Sequence, residues 1–397
     1  MTAKVRLGDI ATVVTKGTTP TTIGFQFEDS GINFVKIESI SEDGTFLKEK
    51  FSHISDECNV QMRRSQLQEN DILFSIAGAI GRSAIVTKEI LPANTNQALA
   101  IIRVPKGKID YNYLLYALSS SAINQQATQH QQGVAQLNIS LKNVSDFLLP
   151  IYTEAMQKRI VHNLKKIDKL ISLRKQQLAK LDELVKARFV EMFGNPVSNT
   201  MGWKSEQLVD CLQGIDNGKS FVCFNDTRQG QEPAMLKLSA VTYGVYNQKE
   251  NKVLLDDTMF IKAAEVHRGD LLFTRKNTPE LVGRCAYVTN TEPNLMMPDL
   301  IFRLNPNDKI NAIFLWKLIN HELFREKIQN IATGSAKSMS NISKERLGKL
   351  KIIIPPIPLQ NQFAAFVERI DQQKQTVQQS LEKLELMKKA LMQEYFG

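Results

Sequence analysis

Apolar residues recur every seven positions along two long stretches of this chain, 157–194 and 360–397. Neither stretch contains Gly or Pro before its final Phe-Gly, as a continuous helix requires. Seven-residue spacing sustained over four or more heptads is typical of a coiled coil, whose narrow apolar stripe needs a partner helix. We therefore predict that the two helices pair with each other, the alternative being that each packs on its own domain. The predicted pairing residues are Leu164, Ile167, Ile171, Leu178, Leu181, Val185, Phe363, Ile370, Val377, Leu384 and Leu391.

The chain before each helix has a different pattern. Short apolar runs rich in Ile, Val, Leu and Phe lie between Gly, Asn and Asp residues, which is typical of strands separated by turns. Examples are Ile32 to Ile37, Asp71 to Ile76 and Ala98 to Val104. One helix is predicted near Tyr111 to Ser120, with a counterpart at Ala312 to His321. Each globular part is therefore predicted to be a mixed α/β (α+β) domain with a mostly β core.

The chain repeats this design after about 200 residues. The repeated segments are Leu7 to Ile10 with Leu208 to Cys211, Phe34 to Ile37 with Met235 to Leu238, Asp71 to Phe74 with Asp270 to Phe273, Gly81 to Ala84 with Gly283 to Ala286, and Asn138 to Ser140 with Asn341 to Ser343. A proline-containing segment then precedes each long helix. The predicted order is a globular domain (1–150), a central long helix (151–196), a second globular domain (197–354) and a C-terminal long helix (355–397).

Composition and charge narrow the function class. Apolar residues make up 43% of the 397 residues, which excludes wholesale disorder and collagen-like structure. The formal net charge is +9, which favours a polyanionic partner. The first long helix has ten Lys or Arg against four Asp or Glu, which suits either a phosphate-contacting face or a solvated flank. The N-terminus shows no signal peptide, and no window has the apolar length of a membrane helix. With four scattered cysteines, these features predict a cytoplasmic protein with reduced, packed thiols and no zinc site.

No catalytic centre is predicted. The chain has no Walker A loop, no His-Glu-x-x-His and no Gly-x-Ser-x-Gly, and its five histidines have no metal-ligand spacing. An enzyme is therefore the least favoured class, because no convergent acid, base, nucleophile or metal set is visible.

Several loops between predicted strands combine small, polar and basic residues, which suit phosphates and base edges. Their recurrence at matching places in both repeats favours a DNA-binding role, although each loop alone could be a solvated turn. The candidate DNA-binding residues are Lys16, Thr18, Thr19, Arg82, Asn94, Asn96, Gln132, Lys219, Ser220, Arg275, Lys276, Asn277, Thr278, Arg284, Lys337 and Ser338.

These motifs resemble the specificity subunit of type I restriction–modification systems. The resemblance covers essentially the whole chain. It rests on Leu-Gly-Asp-Ile with Lys-Gly-Thr-Thr-Pro, on Asp-x-Leu-Phe followed by Gly-Arg in both repeats, on Asn-Ile-Ser before each proline segment, and on two helices ending in Phe-Gly.

The resemblance implies two target-recognition domains, each of which reads one half of a split DNA sequence. It also implies an antiparallel intramolecular coiled coil that fixes the spacing between the half-sites. The subunit would be non-catalytic and would hold no cofactor. S-adenosylmethionine, ATP and Mg are expected in its partners, two modification (methyltransferase) subunits and the restriction (translocase/nuclease) subunits. The alternative from another class is a coiled-coil scaffold whose two α/β modules bind proteins.

Overall fold

The computed structural model describes residues 4–129, 138–334 and 339–397. The chain forms two compact units. Unit 1 consists of Met1–Lys175 together with Gln379–Gly397, and unit 2 of Gln176–Gln378. The predicted division treats the long helices as separate segments. In the structure each unit instead contains one globular domain and one end of each long helix.

The described residues of unit 1 form nine strands in three sheets. These strands are β1 (Lys4–Arg6), β2 (Val13–Lys16), β3 (Ile32–Val35), β4 (Ser52–Ile54), β5 (Ile72–Ser75), β6 (Ser83–Ile85), β7 (Ala93–Thr95), β8 (Leu99–Arg103) and β9 (Leu148–Pro150). A four-stranded sheet has the order β2-β8-β5-β6, and a three-stranded sheet has the order β4-β3-β7. The third sheet is the pair β1 with β9. All pairings are antiparallel except β3 with β7. The three apolar runs predicted to be strands are β3, β5 and β8, which confirms those predictions.

Unit 2 repeats this topology. Its sheets have the orders β11-β18-β14-β16, β13-β12-β17 and β10-β20, with an added pair β15-β19. The bounds are β10 (Lys204–Gln207), β11 (Leu212–Asn217), β12 (Ala234–Leu236), β13 (Asn251–Val253), β14 (Leu271–Thr274), β15 (Lys276–Asn277), β16 (Cys285–Tyr287), β17 (Leu295–Met296), β18 (Ile301–Pro306), β19 (Ser340–Asn341) and β20 (Lys351–Ile354). The parallel pairing of β12 with β17 corresponds to that of β3 with β7. The predicted repeat is therefore a repeat of fold.

Both units also contain shorter α-helices. They are α1 (Leu7–Ile10), α2 (Asp56–Gln61), α3 (Tyr111–Leu118), α4 (Ser121–Gln129) and α5 (Leu141–Ser145) in unit 1, and α7 (Ser239–Thr242), α8 (Ala312–Asn320), α9 (Glu322–Asn330) and α10 (Lys344–Gly348) in unit 2. Helices α3 and α8 are the two predicted ones. The side chains of Asp110 and Asn311 cap them by accepting hydrogen bonds from backbone N–H groups in the first turn. The sequence patterns did not predict α4 and α9.

The repeated Asn-Ile-Ser motif has a structural explanation. The isoleucines, Ile139 and Ile342, are buried in the two domain cores. The serines that follow, Ser140 and Ser343, are N-caps of α5 and α10 and accept hydrogen bonds from the N3 backbone N–H groups. The motif therefore marks a helix start that is fastened to the core by its preceding residue.

The two long helices are α6 (Glu154–Phe193) and α11 (Ile357–Phe396), each of 40 residues. In unit 1 they run antiparallel, since Asp168 contacts Lys388 at 2.6 Å while Arg174 donates a hydrogen bond to Ser380 at 3.2 Å. In unit 2 the same direction holds, since Asp182 and Lys374 are 2.6 Å apart while the ring centroids of Phe189 and Phe363 are 5.6 Å apart. All eleven predicted pairing residues are buried or half-buried. These observations confirm the predicted antiparallel pairing.

The last residue of each long helix enters a domain core. In unit 1, Phe396 packs on Tyr113 of α3, with ring centroids 5.3 Å apart. In unit 2, Phe193 packs on Phe314 of α8 at 4.8 Å. All four rings are less than 2% exposed. Each unit therefore combines the first turns of one long helix with the last turns of the other.

The four cysteines are free thiols, three of them buried: Cys58, Cys211 and Cys285. Burial raises the pKa of the Cys285 thiol well above its usual value. A neutral thiol in an apolar core is a packing group, which agrees with the predicted role.

The helix pairing in unit 1 can be tested by crosslinking. We expect cysteines introduced at Ile171 and Leu384 to form a disulfide on mild oxidation, because the Asp168–Lys388 and Arg174–Ser380 contacts place these positions at the same level of the pair. The shifted control, Ile171→Cys with Leu391→Cys, is displaced by one heptad, roughly 10 Å along the helix, and should remain reduced. Equal crosslinking of both variants in non-reducing electrophoresis would contradict this register.

Candidate nucleic-acid interface

In unit 1 the turn after β2 lies against the segment that leads into β8. The N–H of Gly17 donates a hydrogen bond to the carbonyl of Asn96 at 3.2 Å, and the hydroxyl of Thr19 donates to Gln97 at 2.8 Å. A Cβ atom on Gly17 would lie 1.7 Å from the carbonyl oxygen of Thr95. Only glycine permits this approach of two backbones, so the contact fixes two predicted loops together.

Unit 2 has the same arrangement between β11 and β18. The N–H of Lys219 donates to the carbonyl of Met297 at 3.1 Å. A Cβ atom on Gly218 would lie 2.2 Å from the carbonyl oxygen of Pro298. The hydroxyl of Ser220 donates a hydrogen bond to the carboxylate of Asp299 in the facing loop. The two units thus share a backbone framework but differ in the side chains that this framework carries.

The predicted residues of unit 1 divide into exposed and internal ones. Lys16 is exposed, and Thr18 and Thr19 are half-buried beside it. Asn96 is half-buried, and its side chain accepts a hydrogen bond from the N–H of Ala98. Four predicted residues of unit 1 are therefore brought together at the β2 and β8 loops.

Asn94 and Arg82 have structural partners instead. Asn94 is completely buried, and its amide donates to the side chain of Asn59 at 2.9 Å. The guanidinium of Arg82 donates to the carbonyl of Ile40 at 2.9 Å. The predicted surface position is wrong for Asn94, because the parallel pairing of β3 and β7 places its side chain inside the domain.

A second group of predicted residues lies at the same framework in unit 2. The guanidinium of Arg275 lies over the ring of Phe302, 4.9 Å from its centroid, and donates to Asn341 at 3.4 Å. The ammonium of Lys276 is 3.5 Å from the carboxylate of Asp299. Asp299 therefore connects the Lys219–Ser220 turn with the Arg275–Lys276 segment, two loops that are more than 50 residues apart in the sequence.

Asn277, Thr278 and Arg284 continue this segment. Asn277 is 7% exposed, and its amide donates to the hydroxyl of Thr242 at 3.1 Å, so its predicted surface position is wrong. Thr278 is half-buried, and its N–H donates to the side chain of Asn277. Arg284 lines a cavity bounded by α6, α8 and α11.

Three predicted residues, Gln132, Lys337 and Ser338, lie outside the described residues. The residues that flank them pair with the segments that follow β5 and β14. Asn138 forms a β-bridge with Ala77, and Asn341 pairs with both Thr333 and Lys276.

The acidic residues of this surface were not predicted from the sequence. The hydrogen bond from Ser220, together with the charge of Lys276, lowers the pKa of the Asp299 carboxyl against the opposing effect of its partial burial. Asp216 at the end of β11 likewise has a lowered pKa, first because of a hydrogen bond from Asn305 and then because of Arg303. Lys344, also not predicted, donates to the carbonyl of Ile215. Both carboxylates are therefore ionised near neutral pH and hold cations and amides in fixed positions.

The part of the chain that the structure describes contains neither a candidate membrane span nor a candidate metal site. None of its helices is both long enough and apolar enough to cross a membrane. Its His, Cys, Asp and Glu side chains form no group of three or more that could hold a metal ion.

The chain belongs to the type I restriction modification DNA specificity domain family, whose model matches residues 2–183 and 202–386. A curated relative, the EcoEI specificity subunit of a type I restriction enzyme from Escherichia coli, is 29% identical over 175 residues, which are 44% of this chain and 30% of the relative. The matched part spans less than half the length of each of three curated relatives, at 30, 40 and 45%.

Solved structures share the fold over nearly the full chain. One, from a study of complex assembly and conformational transition in the type I R-M system, is 16% identical with a TM-score of 0.59 and covers 99% of this chain and 97% of its own. The S subunit of a type I restriction-modification system from M. genitalium is 14% identical with a TM-score of 0.57 and covers 100% and 96%. These matches confirm the predicted fold class of two similar mixed α/β domains with two long helices.

The Ser220–Asp299 contact predicts a titration. Because the folded pKa of Asp299 is depressed, the contact stabilises the fold above the usual carboxyl pKa, and this stabilisation is lost as the pH falls through the folded value. We expect Ser220→Ala to raise the pKa of Asp299 more than Lys276→Met does, since the hydroxyl has the larger effect. Carboxyl NMR titration measures this, with Asp216 as an internal control that should not move. A larger effect of Lys276→Met would contradict the assignment.

Proposed function

We propose that this chain is the non-catalytic DNA sequence-recognition subunit of a type I restriction–modification complex, and that each globular domain reads one half of a bipartite DNA target. The observation that carries the proposal is the shared loop framework of the two units. In unit 1 the N–H of a glycine, and in unit 2 the N–H of the residue after a glycine, donates a hydrogen bond to the backbone of the facing loop. The two units therefore share a backbone scaffold, whereas the side chains on that scaffold differ. A common scaffold with different side chains suits two readers of different half-sites.

The side chains on the framework have the chemistry that DNA requires. Lys16 in unit 1 and Lys219 in unit 2 are exposed cations at equivalent turns, and they suit phosphates. Arg275 has a planar guanidinium that can bond guanine through two donors. Its stacking on Phe302 and its hydrogen bond to Asn341 restrict its orientation before DNA binds. An ordered guanidinium loses less conformational freedom on binding than a free one.

The helix pair and the partners complete the proposal. Since α6 and α11 both run through unit 1 and unit 2, we propose that their length sets the spacing between the half-sites. Two modification subunits would dock on this chain, with restriction subunits joining the complex. S-adenosylmethionine, ATP and Mg would act in those partners. DNA as the ligand makes the cytoplasm the expected compartment.

The second candidate, a scaffold with two protein-binding modules, differs in its response to salt. Phosphate contacts release counterions, so DNA affinity falls steeply as ionic strength rises. We expect such a fall for this chain with duplex DNA. A flat salt series would favour the scaffold.

Substitutions at Arg275 and Lys276 should have different effects. Arg275→Lys keeps the charge and loses the two-donor fork, so discrimination at one base pair should relax by roughly five- to a hundredfold. Lys276→Ala should weaken binding to all sequences alike and reduce the salt slope by about one unit. Fluorescence anisotropy with a panel of duplexes over a salt series measures both effects. Lys249→Ala removes an exposed cation from the turn before β13 and is the matched control. If both variants bind like the wild type across the series, this segment does not contact DNA.

Exchange of one globular domain should change one half-site only. A chain whose residues 197–354 come from a relative should keep the half recognised by unit 1 and acquire the relative's second half, because each framework is complete within its own unit. Mapping methylated adenines in cells that contain the hybrid and its partner subunits measures the result. Changes in both halves would mean that the two domains read DNA jointly.

A further inference from the structure

The loop that leads into β8 in unit 1 corresponds residue by residue to the loop that leads into β18 in unit 2. Leu99, the first residue of β8, pairs with the last residue of β5. Ile301, the first residue of β18, pairs in the same way with the last residue of β14. Gln97 and Asp299 each lie two residues before these strands begin. The two side chains therefore occupy the same place in the two domains.

The backbone on both sides of this place is fixed in the same way in each unit. After it, the N–H of Ile76 donates a hydrogen bond to the carbonyl of Ala98 at 2.9 Å in unit 1. In unit 2 the N–H of Arg275 donates to the carbonyl of Leu300 at 3.0 Å. Before it, each loop lies against the close-packed glycine of the facing turn. A side chain on a fixed backbone loses less conformational freedom when it binds a ligand.

A hydroxyl group orients each of the two side chains. In unit 1 the hydroxyl of Thr19 donates to the amide oxygen of Gln97 at 2.8 Å. In unit 2 the hydroxyl of Ser220 donates to the carboxylate of Asp299, and the backbone N–H of Asp299 donates back to that hydroxyl at 3.1 Å. A carboxylate has about four acceptor sites and an amide oxygen about two, so both side chains can accept a further hydrogen bond.

Both side chains also reach the surface. Gln97 is exposed, and the side chain of Asp299 is 43% exposed. The hydroxyl contact is common to the two units, whereas its acceptor is a neutral amide in unit 1 and an ionised carboxylate in unit 2. A contact that only closed the loops would need no such difference. Different chemistry at one fixed and exposed place is what two readers of different sequences require.

An amide and a carboxylate recognise different bases in the major groove. An amide donates to N7 of adenine and accepts from its N6 amino group. A carboxylate only accepts, so it suits the N4 amino group of cytosine and is repelled by guanine, whose N7 and O6 are both acceptors. Adenine also carries an amino group, but its neighbouring N7 acceptor disfavours the second carboxylate oxygen.

We propose that Gln97 and Asp299 read bases at equivalent places in the two half-sites. Gln97 bonds an adenine in the half-site of unit 1, and Asp299 bonds the amino group of a cytosine in the half-site of unit 2. Thr19 and Ser220 are positioning residues, because they orient the side chains that contact the bases. This assignment rests on the proposed function and adds to it the residues and base types that give each domain its specificity.

The experiment uses the full chain together with the modification subunit encoded with it. Mapping methylated adenines in cells first defines the recognised sequence, and the domain exchange described above shows which half belongs to unit 2. That half should specify at least one C·G pair, and the half read by unit 1 at least one A·T pair. Fluorescence anisotropy of the purified complex on duplexes that differ at single base pairs then measures discrimination.

The two acceptors can be exchanged with almost no change of shape. Asp299→Asn should lower discrimination in favour of cytosine at one pair of the unit 2 half-site by roughly five- to a hundredfold and shift the preference towards adenine. Gln97→Glu should cause the opposite shift, from adenine towards cytosine, at one pair of the unit 1 half-site. Each variant should leave the other half-site unchanged.

The positioning role of Ser220 has its own readout. Ser220→Ala keeps the carboxylate of Asp299 but removes the hydroxyl that orients it, so discrimination should fall at the same base pair that Asp299→Asn affects. The salt dependence should not change, since no phosphate contact is lost. Ser220→Thr supplies the hydroxyl that unit 1 uses and should restore discrimination. A uniform loss of affinity for all duplexes would contradict the positioning role.

The matched controls are Asp308→Asn and Gln68→Glu, which make the same chemical changes at exposed places. Asp308 follows β18, whereas Asp299 precedes it, and Gln68 precedes β5, whose far end pairs with the start of β8. Both controls should recognise the wild-type sequence. Thermal unfolding by circular dichroism verifies that each variant is folded. Gln97 is exposed, so Gln97→Glu tests the assignment even if Asp299→Asn does not fold.

Two results would overturn the assignment and leave the proposed function intact. One is wild-type base preference at every pair in folded Asp299→Asn and Gln97→Glu. The other is a unit 2 half-site without a C·G pair. A wild-type complex that shows no sequence preference at all would instead overturn the proposed function.

Discussion

A phenylalanine buried at the end of each long helix is the contact on which the architecture depends. Phe396 packs on Tyr113 in unit 1, and Phe193 packs on Phe314 in unit 2. Because α6 begins in unit 1 and its last ring is buried in unit 2, while α11 does the reverse, the helices can only run antiparallel. The apolar residues that recur every seven positions on each helix then align along the pair. Burial of a ring of this size stabilises each unit by roughly 2–3 kcal/mol.

The fold could largely be predicted from the sequence because its signals are local. The heptads at positions such as Leu164 and Ile370 fix the helices, and the absence of Gly and Pro fixes their length. Helices α3 and α8 were predicted nearly to the residue. The short helices α4 and α9 were missed because they follow α3 and α8 after a single-residue or two-residue break, where no separate start signal is visible.

The candidate site could be predicted only in part, since side-chain burial depends on distant pairings. Asn94 and Asn96 look alike in the sequence, yet one is buried by the parallel β3-β7 pairing and the other remains at the loop surface. Asp299 was missed because an acidic residue is unexpected beside DNA. Its structural role depends on the fold, which places it against Ser220 and Lys276, where it orders a hydroxyl and a cation.

The shared helices also determine when each domain can finish folding during synthesis. Residues 379–397 complete unit 1, yet the ribosome makes them after the whole of unit 2 has been translated. Until then the core around Tyr113 and Leu164 lacks the side chains of Tyr395 and Phe396 that cover it. Domains generally fold in the order of their synthesis, the N-terminal one first. In this chain the first domain to be translated is the last to be completed, so a stop codon just before position 395 would damage the N-terminal domain.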